Sequence, residues 1–113
     1  MPLPVLLALL WLLWVLIAHL LTRNPRREPA AGLTLAFLRF YARWFHRMKV
    51  AGREHIPSSL HPGPLIVVCN HTAGVDPVLV QAAVPFEIRW MMARDMMPRA
   101  LDMVWKFTGV IPV

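Results

Sequence analysis

Residues 64–77 read PLIVVCNHTAGVDP. Leu65–Cys69 is an unbroken apolar run, bounded by Pro64 and by the polar pair Asn70-His71. Such a run predicts a strand buried on both faces of a sheet. Asp76-Pro77 predicts a helix start, since Asp can cap and Pro suits the first helical position. That helix would run from Pro77 to about Val84. Working outward, Glu87–Ala93 (EIRWMMA) reads as a second buried strand. Pro98–Phe107 reads as a second helix, with Leu101, Val104 and Trp105 on one side and Gly109 at its end. Val110–Val113 opens another strand. Upstream, Lys49–Ile56 (KVAGREHI) reads as a short strand carrying Gly52, followed by a proline-rich loop over 57–64. Strand, helix, strand, helix, strand predicts an α/β sheet with crossover helices. A last strand with no helix after it leaves a sheet face uncovered, so the sheet is expected to be incomplete and the chain cut short.

The N-terminus has a different character. Leu3–Leu21 is 19 residues long without a formal charge, and His19 is its only ionisable group. As a helix it would span roughly 28 Å, about the thickness of a bilayer's hydrocarbon. A cleaved signal peptide is the rival reading. It would need a positive n-region, a shorter apolar core and a small-residue cleavage site. No Lys or Arg precedes this run, and Arg23, Arg26 and Arg27 follow it, as expected of a retained single-pass anchor. The cationic flank predicts that the remainder of the chain stays on the cytoplasmic side.

Of 113 residues, 58% are hydrophobic and 16% charged, which excludes a disordered chain and argues against an ordinary cytosolic domain. The formal charge is +6. Between Leu21 and Arg53 lie eight cations and one acid, whereas the remainder is nearly balanced. A basic segment placed directly after an apolar span points to anionic lipid headgroups rather than nucleic acid. Residues 24–32 (NPRREPAAG) read as a linker. Leu33–Met48 reads as an amphipathic helix, with Phe37, Tyr41, Trp44, Phe45 and Met48 at helical spacing and Arg39, Arg43 and Arg47 on another face. Two readings stay open: the helix lies in the membrane interface, or it packs on its own domain with a solvated basic face. The expected organisation is an anchor over 1–22, a basic linker and interface helix over 23–48, and an α/β part over 49–113.

The constellation that carries chemistry is His71 with Asp76. In one continuous helix, five residues turn about 500° and leave these side chains roughly 140° apart. On a strand-to-helix turn, with Gly74 permitting a reversal, they can meet. Asp76 could then fix the imidazole tautomer and leave the other nitrogen as a base. The carboxyl end of a strand is where open α/β sheets place ligands. Spacing alone favours a loop His and a helix-capping Asp with no shared task. The single cysteine, Cys69, excludes a disulfide framework and a Cys-rich metal site. At the end of an apolar strand it reads as packing, beside a nucleophilic alternative. No third ligand stands near His71 and Asp76 for a metal. The methionines at 91, 92, 96, 97 and 103 fit core filling or an acyl-chain groove.

Residues 49–113 resemble the first part of the glycerophospholipid acyltransferase family, which includes the lysophosphatidic acid acyltransferases. The resemblance rests on Val50-Ala51-Gly52-Arg53-Glu54-His55-Ile56-Pro57, on Gly63–His71, on Asp76-Pro77, on Met92–Met96 and on Gly109–Val113. The signature Asn-His, four residues, Asp is present as Asn70-His71 and Asp76. The resemblance implies that His71 is a general base and Asp76 its orienting partner. It further implies an acyl thioester as co-substrate (acyl-CoA or acyl carrier protein), a glycerol-phosphate or lysophospholipid hydroxyl as acceptor, and no bound cofactor.

The sequence also departs from the family pattern. Thr72, Ala73 and Gly74 stand where a polar pair usually follows the His. The family's later Arg and Pro-Glu-Gly-Thr blocks, which by resemblance bind the glycerol phosphate, are not in the sequence. Arg89 and Arg94 are open as substitutes, beside an ordinary surface role, so no substrate-binding residue is assigned. Three functions follow from this reading. They are a membrane-bound acyltransferase of phospholipid synthesis with little activity in this chain alone, a non-catalytic membrane-associated protein, and a membrane-anchored hydrolase using His71 and Asp76 with Cys69.

Overall fold

The computed structural model describes residues 1–113. Helix α1 (Leu3–Thr22) has no buried residue and is long and apolar enough to cross a membrane. Helix α2 (Pro29–Trp44) starts inside the stretch read as linker, with Pro29 at its first turn. The corner between them is closely built around Asn24, which is 3% exposed. Its Nδ2 donates to the carbonyls of Leu21 (2.7 Å) and Glu28 (2.8 Å), and its Oδ1 accepts the Arg26 N–H at 3.0 Å. One side chain thus satisfies the last turn of α1 and the approach to α2. Gly32 completes the corner: a Cβ there would stand 1.8 Å from the Leu21 carbonyl oxygen.

Helix α2 ends at Trp44 rather than Met48. Arg47 takes the left-handed place after it (φ 49°), and the Met48 N–H reaches back to the Ala42 carbonyl at 3.0 Å. The packing face of α2 carries small residues. Ala31 and Ala42 are buried, and Leu35 and Leu38 partly so. Leu33, Phe37, Phe40 and Trp44 are exposed. The aromatic stripe is therefore not a core face. Its rings stack on one another instead, Phe40 on Trp44 at 5.7 Å and Tyr41 on Phe45 at 5.3 Å.

Helix α3 (Asp76–Ala83) packs on α2. The core forms where they meet and consists of Ala31, Ala42, Ala82, Val84 and Phe86, with buried Gln81. The Gln81 amide is paired on both sides. Its Nε2 donates to the Phe86 carbonyl (2.8 Å), and its oxygen accepts the Ile88 N–H (2.9 Å). Only 7 of the 113 residues are buried, so this is a small nucleus rather than a closed domain core.

Strands β1 (Met91–Met92) and β2 (Ile111–Pro112) pair in parallel, Met91 opposite Ile111. Two 3-10 turns, Arg94–Met96 and Arg99–Leu101, and helix α4 (Asp102–Thr108) connect them. Gly109 ends α4 at φ 65°, as expected. The architecture is thus a mixed, helix-rich α/β one with two parallel strands and a long apolar N-terminal helix.

Two expected strands do not form. Residues 49–56 turn at Gly52 (φ 74°) into a 3-10 turn over Arg53–His55, which removes the ladder geometry. Leu65–Cys69 enters no ladder, and Ile66 and Val68 are 90% and 88% exposed. A strand needs a neighbour to satisfy its backbone groups, and this run makes no backbone hydrogen bond. The observed order is therefore unpaired segment, helix, strand, helix, strand, and only the last two strands form a sheet.

Candidate active site

The unpaired Leu65–Cys69 segment delivers Asn70 and His71 to the loop before α3. A tight turn closes that loop: the Asp76 N–H donates to the Ala73 carbonyl at 3.0 Å. The turn returns the chain so that the Asp76 carboxylate faces back toward His71. Asp76 Oδ2 accepts the N–H groups of Thr72 (2.7 Å) and Ala73 (2.8 Å) and lies 3.3 Å from His71 Nδ1. All three contacts converge on one carboxylate oxygen. The turn from the unpaired segment into α3 thus brings together the two residues that a continuous helix would hold apart.

Asp76 is not a forward cap of α3. The helix starts at Asp76 itself, with Val75 in the capping position and no side-chain bond to the first turn. The carboxylate works backward on the loop instead. Its pKa is held below the ordinary carboxylate range, first by the Thr72 N–H and next by the Ala73 N–H, with His71 adding to them. The carboxylate therefore stays ionised. It favours the imidazole tautomer that carries its proton on Nδ1, which leaves Nε2 as the acceptor.

The His71 side chain is 60% exposed and that of Asp76 24%. The pair is open to a substrate and shielded on the carboxylate side. At 3.3 Å the contact is longer than a tight charge-assisted bond of about 2.7–2.9 Å, as is common before a substrate is seated. Cys69 is exposed rather than packed, and it bonds to neither His71 nor Asp76. The packing role expected for its thiol is thus not seen. No group of three or more His, Cys, Asp or Glu is arranged to hold a metal.

Neither Arg89 nor Arg94 makes a hydrogen bond or ion pair with His71 or Asp76. Arg89 lies against Gly109, its Nε 3.6 Å from where a Cβ on that glycine would stand. The Arg94 N–H binds the Val113 carbonyl at 3.2 Å, continuing the β1–β2 ladder. Sequence reasoning also missed Arg26, which it counted among the free cations after α1. Arg26 is held by both carboxylate oxygens of Glu87 and stands 4.9 Å from the centre of the Phe107 ring. It ties the α1–α2 corner to the segment before β1 and to α4. No local pattern marks a pair 61 positions apart.

A family model described as Acyltransferase matches residues 47–113. That is more than half of the chain, and the chain belongs to the Acyltransferase family, which includes the lysophosphatidic acid acyltransferases. The resemblance read from the motifs is thereby borne out. No curated protein and no solved structure matches the chain.

Proposed function

We propose that this protein is a membrane-anchored acyltransferase. It moves an acyl chain from a thioester, acyl-CoA or acyl carrier protein, to the hydroxyl of a glycerol phosphate or lysophospholipid in phospholipid synthesis. One observation carries this reading: in a chain of the Acyltransferase family, His71 Nδ1 faces an Asp76 carboxylate that two backbone N–H groups hold in place. His71 Nε2 takes the hydroxyl proton as the oxygen attacks the thioester carbonyl. The tetrahedral intermediate expels the thiolate, and the imidazolium returns the proton to it. Ionised Asp76 stabilises the imidazolium and keeps its tautomer, as the carboxylate does in a hydrolase triad. The substrate supplies the nucleophile, so no acyl-enzyme forms.

α1 is the anchor, with the site on the cytoplasmic side and the basic residues after α1 against anionic headgroups. The exposed Leu33, Phe37, Phe40 and Trp44 face of α2 supports an interfacial position for that helix. The test is release of free thiol from an acyl thioester, with a lysophospholipid acceptor, by wild type and by His71→Ala. Loss in the variant supports the reading, and an unchanged rate refutes it.

A further inference from the structure

At the far end of α3 from His71 and Asp76, α2 and the turn after Gly52 enclose a groove of about 440 Å³. Arg39 and Arg43 from α2 and Arg53 from the 3-10 turn line it. No carboxylate lines it, and the ion pairs of the chain use other residues. Three arginines thus line one concavity that no carboxylate lines. The wall is apolar, with Met48, Ile56 and Val84. α3 is eight residues long, so the groove lies about 12 Å along the helix from Asp76. It is separate from the site that would do chemistry.

Arginines without an ion-pair partner lining a partly apolar cleft match a ligand that joins a phosphate to hydrocarbon. Arg suits phosphate because its planar fork donates two parallel hydrogen bonds. The source follows from position. Arg39 and Arg43 are each followed directly by Phe40 and Trp44 of the exposed aromatic face. With that face in the interface, the arginines stand at headgroup depth. We propose that the groove is a discrete headgroup site for one anionic glycerophospholipid of the bilayer. The phosphate lies among Arg39, Arg43 and Arg53, and the first acyl-chain methylenes lie against Met48, Ile56 and Val84. This inference rests on the membrane-anchored reading above but not on catalysis.

The test is native mass spectrometry of the full chain in neutral detergent micelles, titrated with phosphatidylglycerol or phosphatidylcholine. One saturable phosphatidylglycerol adduct is expected, and none with phosphatidylcholine. Arg53→Gln, which leaves α2 untouched, should weaken the adduct by at least about tenfold, the scale of one charge-assisted bond. The triple variant R39Q/R43Q/R53Q should abolish it. R23Q/R27Q, which removes cations outside the groove, should keep it. Equal loss in R23Q/R27Q, or retention in the triple variant, would overturn the proposal in favour of diffuse attraction. Displacement by millimolar inorganic phosphate would reassign the groove to a free anion and overturn the lipid source. His71→Ala should keep the adduct while losing thiol release, so failure of the catalytic reading and failure of this one are read separately.

Discussion

Arg26 grips both carboxylate oxygens of Glu87, a residue 61 positions later in the chain, and its guanidinium also covers the Phe107 ring. This contact joins the corner after α1 to the strand-bearing part. Both side chains are partly shielded, at 26% and 28% exposure, and the geometry is two-pronged. A coupling of about 1 kcal/mol is expected, at the upper end for partly exposed pairs. A double-mutant cycle with Arg26→Ala and Glu87→Gln, read by thermal unfolding in micelles, measures it. Additive single effects would show that the pair contributes nothing beyond its parts.

Gly32 sets how closely α1 and α2 approach. Replacing Gly by Ala inside a helix ordinarily stabilises it by roughly 0.8–1 kcal/mol. Here the added Cβ would meet the Leu21 carbonyl oxygen at 1.8 Å, so the helices must separate. Gly32→Ala is expected to lower the unfolding midpoint despite its gain in propensity. A raised midpoint would mean that the corner has slack.

The pH dependence of the loop between His71 and Asp76 follows from Asp76. Its folded-state pKa is depressed, first by the Thr72 N–H. A depressed carboxylate contributes stability above its unfolded pKa, near 3.9, and loses it as pH falls through the folded value. The loop should therefore hold through the ordinary carboxylate range and open only below it. NMR titration of the Thr72 and Ala73 amides checks this. A midpoint at or above the unfolded value would show that the Oδ2 contacts do not persist in solution.

How much of this was legible in the sequence depended on range. α1 was readable as a helix long and apolar enough to cross a membrane from its uncharged run. The end of α4 was readable at Gly109, where φ 65° requires a residue that tolerates it. The meeting of His71 with Asp76 was foreseen as a geometric option, and the family motif gave it a role. The strand expected at Leu65–Cys69 was misread because the run has strand composition, while a ladder depends on a neighbour that periodicity cannot supply. The buried face of α2 was missed because its large aromatic residues hid the smaller Ala31 and Ala42, which pack more closely. Asn24, Gln81 and Arg26 are polar residues whose importance lies in their partners, and those partners are fixed only by the fold.

Asp76 separates loop support from catalysis. Asp76→Asn keeps an oxygen for the Thr72 and Ala73 N–H groups but cannot stabilise an imidazolium. A rate loss of at least about 10²-fold is expected, with the loop's amide signals little moved. Cys69→Ala should leave the rate largely intact. Near-wild-type transfer by Asp76→Asn would reduce Asp76 to a structural role.

The central claim is that His71 is the base, and a radiolabelled acyl-thioester assay with a lysophospholipid acceptor tests it most directly. Wild-type turnover is expected to be slow, because His71 sits at the end of an unpaired segment and is largely exposed. It should nonetheless exceed the rate of His71→Ala by about 10²–10⁴-fold, the usual contribution of a positioned base. Equal transfer by wild type and His71→Ala, or transfer that survives His71→Ala and is lost in Cys69→Ala, would contradict the account.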